Sequence, residues 1–364
     1  MDSQIIKAAV SYEVGKPLIV EQVKIDAPQA GEVKVKLAAC AICHSDLFYL
    51  GGEWGEQPPT VYGHEAAGIV AEVGAHVTLV KPGDAIVATL VRSCGRCYFC
   101  AHAEPALCNQ AFALDRETRL HALDGRPLQQ GLRTGGFAEY IVVDQSQAVP
   151  FTTAMPFDQA SLLACGVVTG LGAVTNTAQV PFGSSVVVIG AGGVGLNSLQ
   201  GAALSGAQPI IAIDLADNKL EAARQFGATH TLNPVTGQIK TEVEALTGGR
   251  GADYVFVTAG NGQAMDLGLE VMRKGGALVI VGMPPSGVTT QIELGYLASY
   301  GQRILGSKMG SAQPAIDLPK LMGLYQQGRL KLKELITARY PLEQINEAIA
   351  AVKGGQALRN VIIF

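Results

Sequence analysis

The sequence predicts an α/β protein of two domains, a mostly-β domain built from both ends of the chain and a doubly wound parallel sheet inserted between them. Three observations carry this. Short strand-like runs and turns fill the chain to about residue 155, and the rhythm changes near residue 167 to buried strands separated by helices. A glycine-rich turn, Gly190–Gly195, then stands where the first of those buried strands ends. A length of 364 residues suits two domains of ordinary size.

Taken in order, Lys7–Val10, Glu32–Leu37 and Gly68–Val73 read as strands by alternation or β-branching. Pro82-Gly83-Asp84 is a turn signal, and Ala85–Ala88 is the strand after it. Together they suggest a partly closed barrel. Further on, Val186–Ile189, Ile210–Ile213, Tyr254–Val257 and Leu278–Val281 are buried-type strands, with helices expected through Leu204, over Asn218–Phe226 and over Gly262–Val271. Strands alternating with helices build a parallel sheet. After about Gly310 come helical signals at Lys333–Leu335 and Leu342–Val352 and a strand, Asn360–Phe364, which should rejoin the first domain. The expected division is 1–166 with 309–364 for the first domain and 167–308 for the second.

Composition excludes several functions. A net charge of −4 with no basic arm offers no electrostatic footprint for nucleic acid. The N-terminus carries an early Asp2 and no apolar core of secretory type, which makes the cytoplasm the expected setting. Residues 159–213 contain no charged side chain, yet Gly, Asn, Gln, Ser and Pro181 interrupt them repeatedly. Buried parallel strands give such apolar runs because both faces are covered, so no membrane span is expected.

Gly190-x-Gly192-Gly193-Val194-Gly195 fits the dinucleotide fingerprint in its full context, after a strand and at the start of a helix, with Asp214 closing the next strand. The glycines let a pyrophosphate approach the backbone, and the helix N-terminus favours its charge. Asp214 would accept hydrogen bonds from the adenosine ribose and repel a 2′-phosphate, which favours NAD over NADP. Seven cysteines in a chain of this kind point to metal or catalysis before disulfides. Cys94, Cys97, Cys100 and Cys108 lie within fifteen residues and suit a closed tetrahedral zinc site, with an iron–sulfur cluster the chemical alternative. Cys43-His44-Ser45-Asp46, Gly63-His64-Glu65 and Cys165 scatter further thiol and imidazole groups along the chain, each weak alone. Cys40, among alanines, reads as a small core residue.

Joined, these motifs resemble the zinc-containing medium-chain alcohol dehydrogenases over essentially the whole chain. The match runs through Gly63-His64-Glu65-Ala-Ala-Gly68, Gly74 and Val77, the Cys94–Cys108 lobe (92–110), the Gly190–Gly195 loop and Leu358-Arg359-Asn360. The resemblance implies a GroES-like catalytic domain with an inserted Rossmann domain, and two Zn²⁺ per subunit. It places a catalytic zinc on Cys43, His64 and Cys165, the Cys₂His set known for such enzymes. Glu65 should sit close behind the metal, and Asp46 should bond His64 and fix its tautomer. It also implies that Ser45 takes or relays the alcohol proton while hydride passes to a nicotinamide held by Thr169, Val194 and Val281. His44, Lys219 and Arg359 match positions used for phosphate or ribose contact.

The chain departs from the family at Phe48, where many members carry a histidine that passes the proton to solvent. Phe48, Trp54 and Leu90 match pocket-lining positions, and together they suggest a bulky alcohol, aromatic or cyclic. A homo-oligomer, dimer or tetramer, is implied, with Leu278–Val281 and Met283-Pro284-Pro285 contributing an edge. Two alternatives stand beside this reading. A dehydrogenase of the S-(hydroxymethyl)glutathione type is disfavoured because that group typically has Thr in place of Ser45 and a carboxylate near Trp54. A non-catalytic NAD- and zinc-binding protein would have no need of Cys43, His64 and Cys165.

Overall fold

A computed structural model describes residues 3–55, 58–151, 154–355 and 357–364. The chain forms two compact units, Met1–Cys165 with Gln313–Phe364, and Gly166–Ala312.

The first unit holds a closed barrel and a seven-stranded sheet. Gln4–Ser11, Ile19–Ile25, Leu120–Ala122, Pro127–Gln130 and Thr60–Val61 make the barrel. The sheet runs Ala148–Pro150, Ala85–Ala88, Glu65–Val73, Glu32–Ala41, Arg359–Ile363, Ile336–Pro341, with Tyr140–Asp144 also pairing onto Glu32–Ala41. Glu32–Ala41 is buried at eight of its ten positions, because strands flank it and both faces are covered. Its register positions the chemistry: Ala41 lies opposite both Glu65 and Val361. Three distant stretches, near 43, 64 and 359, therefore meet at one end of this sheet. The C-terminal strand spans Arg359–Ile363 and pairs back onto Ala39–Ala41.

The second unit is a six-stranded parallel sheet in the order His230–Leu232, Ile210–Ile213, Val186–Ile189, Ala252–Val257, Met272–Ile280, Arg303–Gly306. Strand order reverses direction between Val186–Ile189 and Ala252–Val257, and ligands bind at such a switch point in open α/β sheets. Helices Gly193–Leu204, Asp217–Gln225, Ile239–Leu246 and Gly262–Val271 connect the strands.

Three details differ from the sequence reading. Leu278–Val281 does not form a sheet edge: Met272–Ile280 pairs on both sides, and Arg303–Gly306 is the outer strand. Lys333–Leu335 is a single 3₁₀ turn. Pro314–Gln326 is a helix with no clear signal in the sequence, started by Pro314 in its first turn and carrying Pro319 inside. The helical run Phe157–Thr177 is long and apolar enough to cross a membrane, but 89% of its most apolar window is buried inside the protein. A helix apolar on all sides is buried within a core as readily as within a lipid bilayer.

Candidate metal and coenzyme sites

Cys43 follows strand Glu32–Ala41 in extended conformation and caps helix His44–Gly51. His64 follows Gly63, whose φ of +92° only glycine adopts freely and whose side-chain space is filled by Phe137. Cys165 sits in a π-helical turn, Leu163–Val167, an irregularity common at functional positions. The carbonyl of Ala164, next to it, accepts the buried Thr89 hydroxyl at 2.8 Å. These elements bring ligand atoms of Cys43, His64, Glu65 and Cys165 within 4.8 Å of one another, all four residues buried.

Asp46 organises this cluster. Its Oδ2 accepts the Cys43 N–H at 3.0 Å, and its Oδ1 accepts the Gly63 N–H at 3.0 Å and lies 2.9 Å from His64 Nδ1. A carboxylate can only accept, so the His64 proton belongs on Nδ1 and Nε2 is left as the free ring nitrogen. His64 is fully buried, and Nε2 has no hydrogen-bond partner among the described residues. An orphaned buried nitrogen beside two thiols is what a metal ligand looks like without its ion. The thiols share charge unequally: the thiol of Cys165 holds Cys43 well below the ordinary thiol range against the effect of burial, and the same pairing together with burial raises Cys165. Ser45 Oγ lies 3.8 Å from Cys43 Sγ.

Glu65 is ion-paired with Arg359, both buried. Burial pushes Glu65 up to about 7 although Arg359 pulls the other way. Burial alone would lower Arg359, but Glu65 and then Cys43 raise it. Arg359, expected at a phosphate or ribose, is thus found with its Nη2 on Glu65 behind the thiol–imidazole cluster. The sequence held no signal for this pair beyond the strand that carries Arg359.

The second cluster is Cys94, Cys97, Cys100 and Cys108, again within 4.8 Å. Sulfur–sulfur distances of 4.0 Å (Cys94–Cys100) and 3.9 Å (Cys97–Cys108) are far beyond a disulfide bond and suit four thiolates around one ion. Backbone N–H of Cys100 and of Asn109 lower Cys97 to about 6, whereas burial raises Cys100 to about 12, so the four thiols do not ionise alike.

In the second unit, Gly190 has φ +96°, and a side chain at Gly195 would overlap the Gly190 carbonyl. Gly192 faces open space, the room a pyrophosphate requires beside the N-terminus of helix Gly193–Leu204. Asp214 reaches back over this loop: its Oδ2 accepts Ala191 N–H at 2.7 Å and its Oδ1 accepts Ala216 N–H at 2.9 Å. Lys219 lies half-buried in the first turn of helix Asp217–Gln225. Thr169 is buried and donates to Met309 Sδ at 3.6 Å, Val281 is buried, Val194 lies in the first turn after the loop, and His44 is exposed. Thr258, which no motif singles out, also touches the loop.

Phe48 and Trp54 pack at 5.0 Å between ring centroids, Tyr49 meets Trp54 edge-on at 5.5 Å, and Tyr49 stacks on Tyr62 at 6.0 Å. No sequence motif marks Tyr49 or Tyr62, which extend this aromatic cluster. Leu90 lies half-buried past strand Ala85–Ala88.

Comparison with known proteins agrees with this architecture. Residues 29–153 match the alcohol dehydrogenase GroES-like domain and residues 193–327 the zinc-binding dehydrogenase family. An S-(hydroxymethyl)glutathione dehydrogenase of Saccharomyces cerevisiae is 40% identical, with 98% of this chain and 95% of the relative covered. An alcohol dehydrogenase zinc-binding domain protein from Burkholderia ambifaria superposes with a TM-score of 0.95 at 33% identity, covering 100% of both chains. Benzyl alcohol dehydrogenase from Acinetobacter calcoaceticus superposes with a TM-score of 0.92 at 32% identity, covering 99% of both. With both domains matched and full-length relatives at this identity, the chain belongs to the zinc-containing medium-chain alcohol dehydrogenases.

Proposed function

We propose that this alcohol dehydrogenase oxidises bulky hydrophobic primary or secondary alcohols, aromatic ones among them, with NAD, and reduces the corresponding aldehydes or ketones. The observation that carries the reading is the bare Nε2 of His64, buried against Cys43 and Cys165 with Asp46 fixing the ring from behind. Cys43, His64 and Cys165 would hold a catalytic zinc, and Cys94, Cys97, Cys100 and Cys108 a structural one. Zinc in the first site supplies Lewis acidity toward the oxygen of an alcohol or carbonyl.

The remaining work falls to side chains. Asp46 presents Nε2 by taking Nδ1–H, and Ser45, two residues past Cys43, would take or relay the alcohol proton. Glu65 and Arg359 add a compensated charge pair next to the cluster, so neither charge stands alone in a dry site. Asp214, at the glycine loop, favours NAD because a 2′-phosphate there meets a like charge. Phe48 stands where the family often carries a proton-passing histidine and packs with Trp54 as an apolar wall, so proton release should lean on water or hydroxide and favour alkaline pH. A cytoplasmic setting suits seven free cysteines.

Activity on a glutathione adduct is the second reading, favoured by the yeast relative. One of the grounds against it falls away: Glu53, exposed, directly precedes Trp54, and Glu56 follows two residues later outside the described residues. Ser45 remains as the departure from that group. The test is kcat/KM with NAD for ethanol, benzyl alcohol and S-(hydroxymethyl)glutathione from pH 6 to 10, with Phe48→His alongside. A few extra buried carbons at about 0.8 kcal/mol each should favour benzyl alcohol over ethanol by one to two orders of magnitude. Ethanol as the better substrate removes the pocket argument, the glutathione adduct as the best one replaces it, and an unchanged pH profile in Phe48→His removes the relay argument.

A further inference from the structure

The glycine loop of the second unit is pinned from both neighbouring strands, and one of the pins lies outside every motif. The peptide joining Gly190 to Ala191 carries a carbonyl at one end and an N–H at the other. Its N–H donates to Asp214 Oδ2 at 2.7 Å, from the side of strand Ile210–Ile213. Its carbonyl faces the opposite strand, Ala252–Val257, where the Thr258 hydroxyl lies 2.7 Å from Gly190 O and 3.1 Å from Ile189 O. One hydroxyl has one proton to give. Ile189 O already accepts the Thr258 N–H at 2.9 Å, and the shorter contact is to Gly190 O, so the proton belongs there.

A glycine peptide at φ +96° is free to rotate unless something holds it. If this one turned over, its carbonyl oxygen would face the Asp214 carboxylate, and the two would repel. The third glycine fits the same requirement, since a Cβ at Gly195 would overlap the Gly190 carbonyl and come within 2.9 Å of Thr258 Oγ1. Asp214 is the carboxylate that would accept the adenosine ribose hydroxyls. We propose that Thr258 is a positioning residue for coenzyme recognition: by holding the Gly190 carbonyl it keeps the Ala191 N–H on Asp214, and so sets that carboxylate for an unphosphorylated ribose. This rests on the reading of the Gly190–Gly195 loop as the coenzyme site.

The experiment is calorimetric binding of ADP-ribose and of 2′-phospho-ADP-ribose to the purified full-length enzyme with its zinc and without bound coenzyme, for wild type, Thr258→Val and Thr258→Ser. Val keeps the shape and loses the donor, and Ser keeps the donor. Leaving the carbonyl unsatisfied should weaken ADP-ribose about tenfold in Thr258→Val, narrow its preference over the 2′-phosphate probe, and leave Thr258→Ser close to wild type. In steady-state assays the Val variant should show the same loss as a raised KM for NAD with kcat unchanged. Unchanged ADP-ribose affinity in Thr258→Val, an equal loss for both probes, or an equally impaired Thr258→Ser would overturn the assignment. If Thr258→Val does not fold, Thr258→Ala takes its place against Thr258→Ser in the same comparison. Wild-type protein that binds neither probe would instead overturn the coenzyme reading of the loop.

Discussion

At the scale of single residues, the metal cluster is a problem of burying charge without stranding it. Asp46 is fully buried and accepts from the Cys43 N–H, the Gly63 N–H and the His64 ring. One carboxylate thereby fixes the position of two expected ligands and the tautomer of one. Partners of this kind typically contribute 10–100-fold to metal affinity. Asp46→Asn puts an NH₂ group where at least one N–H donor now points, so it should release the zinc held by Cys43, His64 and Cys165 while sparing the four-cysteine site. Elemental analysis after dialysis against a chelator should find about one zinc per subunit in the variant where wild type keeps about two. Two zincs retained with unchanged resistance to the chelator would show that Asp46 plays no part in holding the metal. Little of this was legible in the sequence beyond its ingredients. Cys43, His64 and Cys165 lie in three separate stretches with no spacing pattern of their own, and only their resemblance to a family joined them. The resemblance sets Arg359 at a phosphate or ribose, and its pairing with Glu65 was not legible because nothing in the chain shows that Ala41 sits opposite both Glu65 and Val361.

At the scale of elements, the second unit uses a side-chain clasp at the start of its strands. Asp253 accepts the Ser185 N–H at 2.8 Å and the Ser185 hydroxyl at 2.6 Å, and it pairs with Arg273 from the next strand. Three neighbouring strands are thus tied at their N-terminal ends. Burial works against the charge on Asp253, but bonds from Ser185 and then Arg273 outweigh it and hold its pKa below the ordinary carboxylate value. A carboxylate depressed in the folded state stabilises the fold above its unfolded pKa, about 3.9, and that contribution disappears as pH falls through the folded value. Asp253→Asn should therefore unfold a few degrees lower than wild type at pH 7, with the gap closing as pH falls from 4 toward 3. Thermal unfolding of both proteins across pH 3–7 measures it, and a gap that stays constant would show the clasp owes nothing to charge. Strands such as Val186–Ile189 were legible because a short apolar run between turn signals has few other readings. Helix Phe157–Thr177 was not, because burial on all sides erases the 3.6-residue alternation that reveals surface helices. The helix Pro314–Gln326 was hidden by its two prolines.

At the scale of the whole molecule, the parallel sheet leaves an open side. Arg303–Gly306 pairs with Met272–Ile280, and no further strand follows it among the described residues. The sequence pointed to Leu278–Val281 for this role because an apolar run looks the same whether its strand is central or outermost. A four-residue strand beginning with an arginine gives even less to read. Large apolar side chains are exposed on the segments just before the outer strand: Met283 is 60% exposed, Leu294 73% and Tyr296 52%. Single exposed apolar residues are ordinary, but an open strand edge is itself a template for pairing, and exposed apolar side chains on the segments leading to it add surface for a partner to cover. Two copies of one strand related by a two-fold axis run antiparallel, so a symmetric dimer would continue this sheet into a second copy and close the edge. Light scattering should accordingly give the wild type twice the 37.9 kDa chain mass, or a higher even multiple. Leu294→Glu with Tyr296→Glu places charge on side chains that already face solvent in the single chain, so folding and zinc content should be kept while the measured mass falls. A wild type that runs as one chain at micromolar concentration would end the proposal. A double variant with undiminished mass would move the contact to another face of the molecule.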